Sequence, residues 1–261
     1  MHPDSRIVRG GFFLRKKPLG DGGSRRIAGA LAFAAFLALA LAARGESFDT
    51  PLYERVVDLG PSPYSNGRIK LTCDYYPSFM VKQLDTGKEG AEWFAIVPER
   101  RGYLSACTRV HRAAEKVIQG RDWCGYFQGA KQDFVFLSAC DAYNGGLDFA
   151  VYDARTGAGV FQDTAVDAAS GGLQFTRAPD GAVSLLYSRV AVFDCTLPRD
   201  PAGCWSRIEG KLGLENAAAP NCTAYEKQMT GSVIAYPVEV ALQPAPQVRA
   251  VPGPIRCWPP E

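Results

Sequence analysis

Beyond residue 66 the chain is dominated by short runs in which apolar positions alternate with polar ones or crowd together, with Gly, Pro, Asn and Asp between them. That pattern predicts strands and turns. Ile69-Lys70-Leu71-Thr72-Cys73 alternates apolar and polar. Residues 79–84 and 93–97 flank the turn-rich segment 85–90 and predict a hairpin. Phe134-Val135-Phe136-Leu137 is a continuous apolar run, expected to be buried on both faces. After the turn at Asn144-Gly145-Gly146, Leu147, Phe149 and Val151 alternate with Asp148, Ala150 and Tyr152. Further strands are predicted at 160–161, 173–176, 183–187 and 190–193. A long final strand carries Ile234, Tyr236, Val238, Val240 and Leu242 on one face. Pro237 within it has no N–H to donate and predicts an edge position or a bulge.

Two segments follow a helical period instead. Val110, Ala113, Ala114, Val117 and Ile118 form an i, i+3, i+4, i+7, i+8 stripe, which predicts an amphipathic helix over 108–119 with Thr108 as N-cap and Gly120 as stop. His111 lies beside the stripe and is expected to face outward. Trp205, Ile208 and Leu212 predict a short helix around 203–213. The remaining stretches are connecting. Residues 46–66 read as an extended lead punctuated by Pro51, Pro61 and Pro63. Residues 244–261 hold six prolines and read as a strap rather than a regular element.

The start of the chain has a different logic. Arg25-Arg26 precede a charge-free run from Ile27 to Ala43, and small residues follow at Ala43 and Gly45. A basic lead, an apolar core and a small-residue cut site make a secretory signal, here residues 1–45. The cut is expected after Gly45, with Ala40-Leu41-Ala42 as the rival site. The run is 17 residues long, short of the roughly 20 that span a bilayer. An uncleaved N-terminal anchor is the alternative, and the only expected membrane contact.

The leader also changes the charge argument. The chain has 261 residues with 29 Lys/Arg and 27 Asp/Glu. Eight of those bases and two of those acids fall within residues 1–45, leaving 21 against 25 and a net of −4. A chain of that charge without a basic run is not a nucleic-acid binder.

All eight cysteines lie beyond the leader: Cys73, Cys107, Cys124, Cys140, Cys195, Cys204, Cys222 and Cys257. An even count after an export signal predicts disulfides. Pairing of chain neighbours is the simplest scheme: 73–107, 124–140, 195–204 and 222–257. No Cys-x-x-Cys pair exists, and only one histidine, His111, follows the leader, so zinc has few ligands to recruit. No metal and no cofactor is expected.

Candidate chemistry is sparse. His111 has no Gly-x-Ser-x-Gly elbow to serve. Asp141, Asn144 and Asp148 bracket a Gly turn in the manner of oxygen ligands for calcium, but without EF-hand spacing. Glu92, Glu115, Asp148, Asp153 and Asp163 are candidates for the two carboxylates of a glycoside hydrolase, and none stands out. Tyr75, Tyr76, Trp93, Trp123 and Tyr143, with Tyr126-Phe127 and Trp205 beside them, are candidates for a stacking surface that binds a glycan or a protein. Asn221-Cys222-Thr223 fits the N-glycosylation pattern, which has meaning only in a eukaryotic secretory pathway.

Asp85-Thr86-Gly87 and Asp153-Ala154-Arg155-Thr156-Gly157 echo one another as turns in which Asp accepts local N–H bonds and Gly takes positive φ. Such hairpins occur in propeller blades, but the spacing of the echoes is uneven. The expected architecture is mainly β. It is a single disulfide-bridged sandwich or irregular barrel over 46–261, with one or two short helices, and a small β-propeller is the alternative. Three stretches, 71–82, 149–157 and 234–240 with Cys257-Trp258-Pro259, together resemble a group of exported bacterial proteins of unknown function. That resemblance implies a periplasmic or extracellular location and a single domain, and it brings no activity. The expected role is non-catalytic: a binding or accessory protein of the bacterial envelope. The alternative is a secreted hydrolase using paired carboxylates.

Overall fold

The computed structural model describes residues 45–99, 104–143, 145–168, 171–214, 216–227 and 231–258. The expected leader before Gly45, Asn144 and the last prolines of the strap lie outside the described residues. Among the described residues the chain forms fourteen strands, one α-helix and a 3-10 turn at Thr223–Tyr225. No helix among them is long and apolar enough to cross a membrane.

The first sheet is a five-stranded antiparallel meander: β1 (Tyr53–Pro61), β2 (Arg68–Tyr75), β3 (Phe79–Asp85), β4 (Trp93–Pro98) and β5 (Lys116–Gln119), paired in that order. The second has nine strands. Its spine begins with β6 (Gly125–Lys131), β7 (Phe134–Tyr143), β8 (Gly146–Asp153) and β9 (Gly159–Ala165). Off the spine lies β10 (Gln174–Arg177), paired with β11 (Val183–Phe193). The spine itself continues through β11, β12 (Ser232–Ala241) and β13 (Gln247–Ala250), and β14 (Arg256–Cys257) pairs with β12. Both sheets are open, so the class is sandwich-like rather than a closed barrel, and the strands are not grouped into blades.

The strand pattern explains the layering. Val135 and Leu137 of β7 and Ala150 of β8 pack with Phe79, Val81, Phe94, Ile96 and Ile118 of the first sheet. Phe134, Phe136, Phe149 and Val151 alternate with them and enter a second core on the opposite face. The continuous apolar run is therefore buried on both faces because its sheet lies between two cores. That second core is closed by Phe175 of β10, Phe48 of the lead, and Trp205 and Ile208 of helix α1 (Pro201–Leu212). Asp200 caps the helix by accepting from Gly203 N at 3.0 Å, Pro201 stands in its first turn, and Gly213 ends it at φ 67°.

One expected helix is absent. Residues 108–115 form no regular helix, and 116–119 are strand β5 against β4. Val110, placed on the apolar stripe, is 72% exposed. The reason lies in Lys82, which is fully buried on the outer face of β3. Its Nζ donates to the carbonyls of Thr108 and Val110, both at 3.2 Å, and pairs with Glu115 at 2.7 Å. Carbonyls turned to a buried ammonium are not aligned for i→i+4 bonds. The β-branched pair Val117-Ile118 then completes a strand edge.

All four expected disulfides are present: Cys73–Cys107, Cys124–Cys140, Cys195–Cys204 and Cys222–Cys257, and no cysteine is free. The last ties the strap to the domain beside β14. Pro237 is not at an outer edge. It lies where β12 passes from β14 (at Ile234 and Ala235) to β13 (at Val238–Ala241), so its missing N–H falls in a gap between two short neighbours. Its carbonyl is used there, accepting from Val251 N at 3.0 Å. The Asp…Gly echoes are turns of one kind: Asp85 Oδ1 accepts from Gly87 N at 2.8 Å, and Asp153 Oδ1 from Arg155 N at 2.8 Å.

Candidate functional site

The inner face of the first sheet changes character toward β1. At β3 and β4 it is apolar, through Val81, Phe94 and Ile96. Beside them on the same face stand Thr72 and Asp74 of β2, with Gln83 of β3 opposite Thr72 and Glu54 of β1 opposite Asp74. The sheets separate at this corner, and a cleft of about 420 Å³ opens between them.

The facing wall is β6. Its pairing with β7 slips between Phe127 and Gly129, a bulge that puts Gln128 into the wall. Phe127 N donates to Gln83 Oε1 at 2.7 Å, which joins the two sheets at the opening. Gln128 Nε2 donates to Ala168 O at 2.8 Å, and its enclosed Oε1 has no hydrogen-bond partner among the described residues. A Cβ on Gly129 would stand 2.6 Å from the Phe48 ring, so only glycine lets that ring close the floor.

The third wall is the lead, which crosses from one sheet to the other. Glu46 bridges to Phe175 and Asp49 to Ala130, both in the second sheet. Leu52 N then donates to Tyr75 O of the first sheet at 2.7 Å. The crossing is clamped by Lys131, which is nearly buried and whose Nζ meets Glu46 at 2.8 Å, Asp49 at 3.0 Å and Ser47 O at 2.9 Å. Burial alone would lower the Lys131 ammonium, but the bonds to Glu46 and Asp49 outweigh it and hold it above its ordinary value. The same lysine, with Arg177, holds Glu46 below the usual carboxylate range.

Three carboxylates line this cleft, and they differ. Asp49 is engaged by Lys131 and by Gln132 N. Asp74 is 8% exposed and, among the described residues, has neither a hydrogen-bond donor nor a cation on it. Burial pushes Asp74 up to about 6, and the neighbouring Glu54 charge adds to the rise. Glu54 is exposed and also lacks a cationic partner among the described residues. Burial likewise raises the Tyr76 phenol beside them. Aromatic rings of Phe48, Tyr76 and Phe127 supply the apolar part of the lining.

Of the aromatic residues read from the sequence as a stacking surface, only Tyr143 is strongly exposed, at 74%. Tyr75, Tyr76, Trp93 and Trp123 are all buried. Tyr75 donates to Ser105 O at 2.8 Å and Trp123 to Ser138 O at 3.1 Å, so their polar tips are used internally. Trp93 meets the His111 ring edge-on at 4.4 Å, and Tyr76 stacks on Phe79 at 4.9 Å. Tyr75 and Trp93 belong to the core outside the first sheet, Tyr76 and Trp123 to the core between the sheets. The five do not share one exposed face.

Of the acids singled out from sequence, Glu92 is exposed and has no side-chain partner among the described residues, and the others are occupied in a similar way. Glu115 binds Lys82 and His111 Nδ1. Asp153 is paired with Arg155 and held low by it. Asp163 holds Arg189 and the Tyr187 hydroxyl, and Asp148 holds the Thr164 hydroxyl. Asp141 accepts from Ala142 N. Among the described residues no three His, Cys, Asp or Glu side chains are grouped to hold a metal. Sequence reading misses the Glu54–Asp74 pair because the two residues meet only through the β1–β2 register. The one local signal is the charge of Asp74 inside the buried run Cys73-Asp74-Tyr75-Tyr76. No known protein family, curated protein or solved structure matches the chain.

Proposed function

We propose that the chain is an exported, disulfide-stabilised, non-catalytic binding protein of the bacterial envelope, and that the cleft between the sheets is where it binds. The observation that carries the reading is Asp74, a buried carboxylate that lines an open cleft and has no partner within the described residues. Export rests on the apolar segment after Arg25-Arg26 and on four bridges that an oxidising compartment would maintain.

One observation favours a hydrolase as the second reading. Glu54 and Asp74 are cross-strand neighbours, with Cβ atoms about 5 Å apart by ladder geometry, and burial keeps Asp74 protonated to about pH 6. An acid beside a carboxylate is the equipment of glycoside hydrolysis. Catalysis also requires both groups to be held in place. Neither has a hydrogen bond to hold it among the described residues, and Glu54 stands on an exposed edge strand. Binding tolerates that freedom better.

Two measurements test the proposal. Intact mass of protein taken from its native compartment, alkylated without reductant, should match a start near residue 46, with no alkylation. Full-length mass with alkylatable thiols overturns export. Turnover of chromogenic aryl glycosides that is lost in both Glu54→Gln and Asp74→Asn overturns the non-catalytic reading.

A further inference from the structure

We infer that the cleft between the sheets takes a small organic cation, bound through an ammonium or guanidinium group. The inference rests on the binding role proposed above and names the ligand chemistry of that same site. Four features lead there.

Charge comes first. Asp49 is neutralised by Lys131, whereas Glu54 and Asp74 have no cation within the described residues. They face one another, so their repulsion is relieved by a positive group seated between them or beside them. Burial is the second feature. Asp74 is more than nine-tenths buried, yet it lines open space and accepts no hydrogen bond there. A carboxylate in that position has no protein donor within the described residues, and a cation with N–H groups brings it both donors and opposite charge.

The third feature is the apolar lining. Phe48, Tyr76 and Phe127 put aromatic rings at the same cleft as the carboxylates. Ring faces attract organic cations and shield their alkyl parts. The fourth is size. A cavity of about 420 Å³ is at the lower end of the range that small molecules occupy. It fits a solute rather than a folded partner.

Other ligand classes fit less well. Anions meet two uncompensated carboxylates. A divalent metal would want three or more ligating groups together, and the described residues contain no such group. A neutral sugar wants donors and acceptors in balance, but the charged side chains of the lining only accept.

The test is calorimetric titration of the oxidised protein at pH 7.5 with agmatine and with choline, and with N-acetylglucosamine and citrate as controls. Saturable agmatine binding is expected, weakened at least tenfold in Asp74→Asn and in Glu54→Gln and weakened again at pH 5. Thermal unfolding of each variant checks that it remains folded. The exposed position of Glu54 keeps that arm informative if Asp74→Asn does not fold. No saturable binding of either cation, or binding equal in wild type and Glu54→Gln, overturns the inference. Binding of N-acetylglucosamine or citrate that is sensitive to Glu54→Gln, without cation binding, overturns the cation and leaves the binding role standing. Absence of binding together with variant-sensitive glycoside turnover overturns both.

Discussion

Glu54 and Asp74 stand directly opposite one another across the β1–β2 ladder, one exposed and one buried, without a cation on either among the described residues. The arrangement has a cost that pH reveals. Asp74 in the folded chain is raised to about 6, first by burial and then by Glu54. Between its unfolded value and about 6 the folded state binds more protons, so this residue makes stability fall as pH rises through that window. The penalty is complete above it. Asp74→Asn removes the charge and is expected to be more stable than wild type at pH 7.5 by about 1–2 kcal/mol, a shift of this kind discounted for solvent screening. The gain should vanish near pH 4. Denaturant unfolding with intact disulfides at both pH values checks this. A loss of stability at both would mean that Asp74 has a structural partner.

The buried pair Lys82–Glu115 behaves in the opposite way. Lys82 has no exposed surface, and Glu115 has 3% of its side chain exposed. The lysine holds two carbonyls of the segment that covers the first sheet. Lys82→Met leaves Glu115 buried without its ammonium and frees both carbonyls. The expected cost is about 3–5 kcal/mol, with residues 104–115 becoming the first site of proteolysis. Adding Glu115→Leu should recover much of that loss, since an apolar pair of similar volume replaces a buried ion pair at little cost. Unfolding of both variants measures the difference.

These pairs mark where the sequence is legible and where it is not. Strands at 69–73, 79–84, 134–137 and 147–152 are legible because side-chain alternation is a local property of the chain. The disulfide scheme is legible because each bridge joins neighbours in the cysteine order. The runs 183–187 and 190–193 read as two strands but form one, since the interruption at Ser188-Arg189 is paired with β12 like its flanks. The helical stripe at 108–119 misleads because Lys82, far away in sequence, takes the carbonyls a helix would need. The cleft is invisible for a related reason. Glu54 and Asp74 are joined by strand register, and Phe127 to Gly129 reach them only across the sandwich. Aromatic residues are conspicuous in the sequence, but their burial depends on which face of each strand meets a core.

The strap gives a third prediction. β14 is only Arg256–Cys257, paired with Ile234 and Ala235 of β12, and Cys257 is joined to Cys222. Two residues of ladder hold little by themselves, so the bridge is expected to keep the tail in place. The double variant Cys222→Ala, Cys257→Ala should lose about 2–4 kcal/mol. Limited proteolysis should cut it within residues 243–256 while the rest of the domain stays intact. A tail that remains protected would show that β13 and the packing of Ile255 suffice.

Lys131 gives the last prediction, because it joins the lead to the cleft. Its ammonium is the single cation on Asp49 and one of two on Glu46 among the described residues, and it also holds Ser47 O. Lys131→Met keeps the buried stem but releases all three. The expected loss is about 2 kcal/mol. A second effect separates this residue from an ordinary stabilising contact. With Asp49 freed, a third uncompensated carboxylate lines the cleft beside Glu54 and Asp74. If the lead stays in place, agmatine should bind more tightly to Lys131→Met than to wild type, and the gain should shrink with added salt as screening takes over. If the lead detaches, Phe48 leaves the floor and binding should be lost with it. Hydrogen exchange at the Asp49 and Gln132 amides, which donate to Ala130 O and to the Asp49 carboxylate, distinguishes a retained lead from a detached one.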